Sequence, residues 1–254
     1  MMLDEILAHK RREIEALRAA PPPAPARARA RRDFAAALRG GPPVRLIAEV
    51  KRASPSRGLL RADFDPAALA RAYQEAGAAA ISVLTDERFF QGHLDHLAVV
   101  RGAASLPVLR KDFILDEIQI PQSVAAGADA ILLIAAALLA EKLRALRVRA
   151  AEAGLASLVE VHDEVDLDRA LESGAEIIGL NNRDLGDFSV SLAVTERLRP
   201  RIPGGRLVVS ESGVHERSDV LRLQEAGVDA ILAGEALVRA PDPAVKVREL
   251  LGRK

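Results

Sequence analysis

Two regimes of hydrophobic patterning divide the chain. From residue 46 onward, short apolar runs recur at Leu46–Val50, Ala79–Leu84, Val108–Leu109, Ala130–Ile134, Ala156–Val161, Ile177–Leu180, Leu207–Val209 and Ala230–Ala233. Each run is followed by a stretch with helical periodicity. Runs that are apolar on both faces suit parallel strands covered on both sides. Strands alternating with helices predict βαβ units. Eight such units in about 210 residues predict an α/β fold, a TIM (β/α)8 barrel rather than an open sheet.

A weak internal repeat supports this reading. AGAAAISVLTD (76–86), AGADAILLIAA (126–136), SGAEIIGLNNR (173–183) and AGVDAILAGEA (226–236) share one form, with a glycine four residues before an isoleucine. Gly77, Gly127, Gly174 and Gly227 fall where a helix ends and a strand begins, and glycine accepts the left-handed conformation of such a cap.

Residues 1–45 follow a different pattern. Leu3, Ile6, Leu7, Ile14 and Leu17 recur at helical spacing and predict an amphipathic helix over 2–19. Pro21, Pro22, Pro23 and Pro25 must end it. A second short helix is expected around Asp33–Leu38, with Asp33 as its cap. The division is therefore an N-terminal helical extension, 1–45, and a barrel, 46–254. The extension carries ten Lys and Arg against five Asp and Glu, a net charge of +5 that the remainder cancels. It reads either as a solvated basic face with a linker or as a lid that steers an anionic ligand.

Over all 254 residues, 36 basic and 36 acidic side chains balance, which argues against a nucleic-acid-binding surface. The absence of cysteine excludes disulfides, thiolate metal sites and a cysteine nucleophile. The longest apolar run, Ala130–Ala140, is too short to span a membrane, and the first residues lack a secretory-signal pattern. A cytoplasmic location is expected.

Two rare residue types narrow the search. The chain holds 30 Arg but six Lys, and its two Asn are adjacent, Asn181 and Asn182. In a TIM barrel, chemistry sits where strands end and βα loops begin. Those positions hold Glu49 and Lys51, Lys111 before Asp112 and Phe113, Glu160, Asn181, Glu211, and Glu235. Glu49 and Lys51 are two apart and share a face. Any one of these could be a solvated loop charge. Converging on one rim they need partners or a ligand, and such clusters shift proton affinities toward catalytic use.

Ser212-Gly213 and Gly234-Glu235 follow the seventh and eighth strands, where barrels commonly bind phosphate on backbone N–H groups. Glu235 has the wrong charge for such a site, so its side chain is expected to point away. His93 and His96 lack metal-ligand spacing, and no metal is expected. Ser54 and Ser56 read as loop hydroxyls near Lys51, without triad partners.

IAEVKRASPSRG (47–58), SVLTDERFFQG (82–92), LRKDFILDEIQI (109–120), LVEVHDE (158–164), GLNNRDL (179–185), SESGV (210–214) and LAGEALVR (232–239) resemble indole-3-glycerol phosphate synthases. The resemblance spans roughly 45–240 and touches seven of the eight strand ends. It implies a carbon–carbon lyase of tryptophan biosynthesis without a cofactor. In that reaction the aromatic ring of 1-(2-carboxyphenylamino)-1-deoxyribulose 5-phosphate attacks its own C2′ carbonyl, and carbon dioxide and water then leave.

Carried over by motif, Lys111 is the general acid, protonated at an ordinary lysine pKa of about 10.4. Glu160 and Lys51 form the acid–base pair for dehydration, in an order the sequence leaves open. Glu49 holds Lys51 or Lys111, while Asn181 and Glu211 bind the sugar hydroxyls and the ring-closing region. Leu84, Phe90, Phe113 and Leu132 line the anthranilate pocket, with Ser54 and Arg183 near its carboxylate. Lys51, Ser212, Gly213, Gly234 and Glu235 surround the phosphate. Glu235 and Asn182 depart from some relatives.

The competing readings are a phosphosugar isomerase, a non-catalytic phosphate binder and a lysine Schiff-base aldolase. The first suits a Cys or Asp couple, and the second needs no Lys51, Lys111 and Glu160 together. The expected partner is a phosphorylated small molecule, with neither nucleic acid nor membrane, and the expected working form is a monomer.

Overall fold

The computed structural model describes residues 2–20, 30–40, 44–184, 186 and 188–253. Among them, eight parallel strands close into a barrel: β1 (Arg45–Val50), β2 (Ala80–Leu84), β3 (Val108–Lys111), β4 (Ala130–Ile134), β5 (Ala156–Val161), β6 (Ile177–Asn181), β7 (Leu207–Glu211) and β8 (Ala230–Ala233). Each strand pairs with its sequence neighbours, and β1 closes the ring against both β2 and β8. Helices flank the barrel, as the eight apolar runs predict. The four repeat glycines have φ between 79° and 96°, the left-handed conformation expected of them.

Strands β3, β6 and β7 run one or two residues past their apolar runs, into Lys111, Asn181 and Glu211. Hydropathy ends there because the side chains turn polar at the barrel mouth, while the ladder continues. Asn181 still pairs with Glu211, and Leu84 with Lys111.

The period of two sorts each strand cleanly. Ile47, Leu109, Leu132, Leu158, Ile177, Val209 and Leu232 pack together inside the barrel. Leu46, Ala48, Val159, Ile178 and Ile231 pack outward against the helices. Glu49, Lys111, Glu160 and Glu211 lie two positions beyond interior residues, on β1, β3, β5 and β7. A TIM barrel builds each interior layer from alternate strands. Here the uppermost layer of the odd strands is ionic.

The extension begins with α1 (Met2–Ala19), as the apolar spacing predicts. Pro21, Pro22, Pro23 and Pro25 lie outside the described residues. Then α2 (Phe34–Leu38) starts at Asp33, whose side chain accepts the Ala36 N–H, and it buries Phe34 and Leu38 in the barrel's interior cluster. A small hairpin that hydropathy does not reveal, Ala53–Ser54 with Gly58–Leu59, sits in the loop after β1. Among the described residues, no helix is long and apolar enough to cross a membrane.

Candidate active site

One cavity opens at the mouth of the barrel. Of the residues singled out from the sequence, Glu49, Lys51, Lys111, Glu160, Asn181 and Glu211 line it. So do Ser54, Leu84, Phe90, Phe113, Leu132 and Arg183, and Ser212, Gly213, Gly234 and Glu235.

Lys111 is the hub. Its ammonium donates to Glu160 Oε2 at 2.9 Å and also to Glu211 Oε2. Burial pushes the ammonium's proton affinity down, and the carboxylates of Glu160, Glu211 and Glu49 push it up further, so it ends well above the ordinary lysine value. This corrects the expectation of an unshifted lysine: its carboxylate partners hold Lys111 as an ammonium, and a ligand must compete with them before the proton moves. One ammonium cannot hold two carboxylates equally. Burial raises Glu160, but Lys111 and His162 overcome it and bring it to about 2. Burial also raises Glu211, and there it prevails over Lys111 with help from Glu160, leaving it at about 7.

Lys51 pairs with Glu49 at 2.8 Å, as their shared face predicts. Gly234 makes room for this pair, because a Cβ there would stand 2.4 Å from Glu49 Oε2. Glycine after β8 therefore leaves room for a side chain of the adjacent strand β1, independently of any phosphate.

The turn after β7 is unusual. Ser212 takes φ 66°, uncommon for a residue with a side chain, and Gly213 follows at 83°. After β8, Gly234 precedes a one-turn helix, Glu235–Val238, whose first N–H groups have no acceptor within the helix. Glu235 does not point away as expected. It lines the cavity, with Arg57 at 3.2 Å, Arg239 at 3.3 Å and Arg183 at 3.6 Å, so three guanidiniums meet its charge. Arg183 also donates to the Phe188 carbonyl at 3.2 Å.

Opposite lies an apolar wall. Phe90 and Phe113 stand 6.3 Å apart, with Leu84 and Leu132 beside them. Phe89 turns away, edge-on to His9 of α1.

Sequence reasoning missed several groups here. Met2, Leu3 and Ile6 of α1 line the same cavity. Lys10 of α1 is 2% exposed, and its ammonium meets Asp112 at 2.9 Å, Asp86 at 3.0 Å and Glu13 at 2.6 Å. Asp112 also receives Arg110 at 2.9 Å and the Thr85 hydroxyl at 2.6 Å; against the opposing effect of burial, the Arg110 and Lys10 cations and this hydroxyl hold its carboxyl far below the usual range. Lysine rarity, which pointed to Lys51 and Lys111, was the available signal for Lys10.

The chain is similar to known proteins over nearly its whole length. The model of the indole-3-glycerol phosphate synthase family matches residues 3–250. The chain is 54% identical over 265 residues to an indole-3-glycerol phosphate synthase of Roseiflexus castenholzii, covering 99% of this chain and 98% of that one. It is 53% identical over 240 residues to an indole-3-glycerol phosphate synthase 2 of Streptomyces coelicolor, covering 94% and 90%. Among solved structures, the 3-hexulose-6-phosphate synthase of Salmonella typhimurium aligns with a TM-score of 0.66 over 82% of this chain and 97% of its own. At 15% identity it speaks for the barrel alone. A family match over nearly the whole length, with half the residues identical across complete relatives, settles the kinship: the chain belongs to the indole-3-glycerol phosphate synthase family.

Proposed function

We propose that this chain converts 1-(2-carboxyphenylamino)-1-deoxyribulose 5-phosphate to indole-3-glycerol phosphate, carbon dioxide and water, as a carboxy-lyase of tryptophan biosynthesis. The observation that carries the reading is the Lys111 ammonium, fixed between Glu160 and Glu211 at the foot of a cavity with one aromatic wall and one glycine-bearing wall.

The carboxyphenyl ring packs on Phe90, Phe113, Leu84 and Leu132, with Ser54 and Arg183 toward its carboxylate. The phosphate sits between Ser212-Gly213 and Gly234-Glu235, on backbone N–H groups, with the Lys51 ammonium adding charge. Held at both ends, the substrate folds so that its ring carbon meets the C2′ carbonyl.

Attack develops negative charge on the carbonyl oxygen, and Lys111 delivers a proton to it. Asn181 and Glu211 bind the sugar hydroxyls at this step. Carbon dioxide departs as the ring regains aromaticity. Dehydration needs a base to take a C1′ proton and an acid to release the hydroxyl. Glu160 and Lys51 fill these roles, with Glu49 orienting Lys51. No electrons change hands, so acid–base groups suffice and no cofactor enters. A site complete within one chain supports a monomeric working unit, and Met2, Leu3 and Ile6 on its wall support a lid role for 1–45.

Fluorescence of the indole product tests this. The parent chain forms it, and Lys111→Ala loses about a hundredfold or more in turnover while still binding inorganic phosphate. A silent parent, or an undisturbed variant, overturns the reading. Borohydride trapping of substrate on Lys111 would replace the general acid with a Schiff base.

A further inference from the structure

Glu160 is held on one oxygen by Lys111. Its other oxygen, Oε1, lies 3.4 Å from His162 Nε2. That nitrogen is buried and makes no hydrogen bond among the described residues. The opposite ring nitrogen, Nδ1, is 3.3 Å from Asp166 Oδ2. Asp166 is 4% exposed, in the first turn of the helix Glu164–Glu172, and Arg169 reaches its other oxygen at 3.5 Å. The imidazole thus has one occupied side and one open side, and the open side faces Glu160.

We propose that His162, anchored by Asp166, is a positioning residue for Glu160: its Nε2–H takes up Oε1 when Lys111 turns to the substrate, and so keeps the carboxylate charged and oriented for proton abstraction. This rests on Glu160 being the base of the dehydration step.

The need for such a partner follows from the chemistry. Once Lys111 gives its proton to the carbonyl oxygen it is a neutral amine, and its hold on Glu160 lapses. A buried carboxylate without a cation takes up a proton, and a protonated Glu160 cannot act as a base. His162 then supplies the missing charge. It faces Glu160 on its own strand, Asp166 on the following helix and Glu211 on β7, with Lys111 and Arg169 beyond them. Burial pushes the ring's proton affinity down, and the three carboxylates raise it past the usual histidine value. A protonated ring donates from both nitrogens, one to each flanking carboxylate. His162 keeps its proton throughout; the substrate's proton ends on Glu160.

The test is the pH dependence of kcat in His162→Gln, His162→Lys and Glu160→Gln. In His162→Gln, kcat falls about tenfold, and KM stays within about twofold because the ring is not part of the cavity lining. The acid limb moves up by about one pH unit, since Glu160 without its cation binds a proton more tightly. His162→Lys restores the charge and returns the limb. An acid limb unmoved in His162→Gln overturns the proposal, even if turnover falls, because a structural anchor would lower the rate without shifting the profile. If His162→Gln does not fold, NMR titration of the His162 ring in the parent and in the isosteric Glu160→Gln decides. The midpoint falls when Glu160 is neutralised, and an unchanged midpoint overturns the proposal. Full activity in Glu160→Gln would instead remove Glu160 as the base, an outcome read independently of His162.

Discussion

Asn182 donates its side-chain amide to the carbonyl oxygen of Ser212 at 3.0 Å. The same nitrogen reaches the Glu211 carbonyl at 3.0 Å and the Ser210 hydroxyl at 2.9 Å, while Oδ1 accepts the Thr195 N–H and hydroxyl. The end of β6 therefore braces the left-handed turn after β7. Asn182→Ala is expected to cost about 2 kcal/mol, because it strands several buried polar groups. It should raise KM more than it lowers kcat, since the turn loosens while Lys111 and Glu160 stay in place. Thermal unfolding and steady-state kinetics check both; an unchanged KM would mean the turn supports itself.

Glu211 gives the fold a pH dependence of its own. Its carboxyl sits at about 7 in the folded chain against an ordinary 4.5. Between those values the folded state holds this proton while the unfolded state has released it. The folded state binds more protons, so stability falls as pH rises through that window. Glu211→Gln is expected to flatten this decline, raise Tm above pH 7 relative to the parent, and abolish turnover. Parallel curves of Tm against pH would show that Glu211 is not the group responsible.

Lys10 ties the extension to the barrel. Lys10→Met would leave Asp86 and Asp112 buried without its ammonium, although Arg110 still holds Asp112. A loss of about 3 kcal/mol is expected for breaking such a buried cluster. Met2, Leu3 and Ile6 would then leave the cavity wall, and KM should rise. Hydrogen exchange along α1 reports the detachment, and a protected α1 with unaltered KM would contradict it.

The barrel is legible because each strand is apolar on both faces and the helices before β2, β4, β6 and β8 end at, or one residue short of, a left-handed glycine. The site is legible because polar residues interrupt that pattern at strand ends. Parity carried Glu49 and Lys51 to one pair, and the same parity was available for His162, two residues beyond Glu160. Asn181 and Asn182 show what alternation does: one faces the cavity, and the other turns to Thr195 and the neighbouring strand. Lys10 was not legible in this way. On a helix, three residues before Glu13, it looks like an ordinary surface lysine, and its other partners come from loops after β2 and β3. Glu235 misled because its charge was weighed against a ligand alone, without the arginines that fold brings around it.

The ionic layer at the barrel mouth is unequal: Glu49, Glu160 and Glu211 face Lys51 and Lys111. The proposed reaction discharges a carboxylate as carbon dioxide and expels a hydroxyl as water, so each turnover draws one proton from outside. Glu211, which burial lifts to about 7, is the carboxyl group of this layer suited to take up that proton near neutral pH. Burying that carboxyl group therefore couples the charge at the barrel mouth to the acidity of its surroundings.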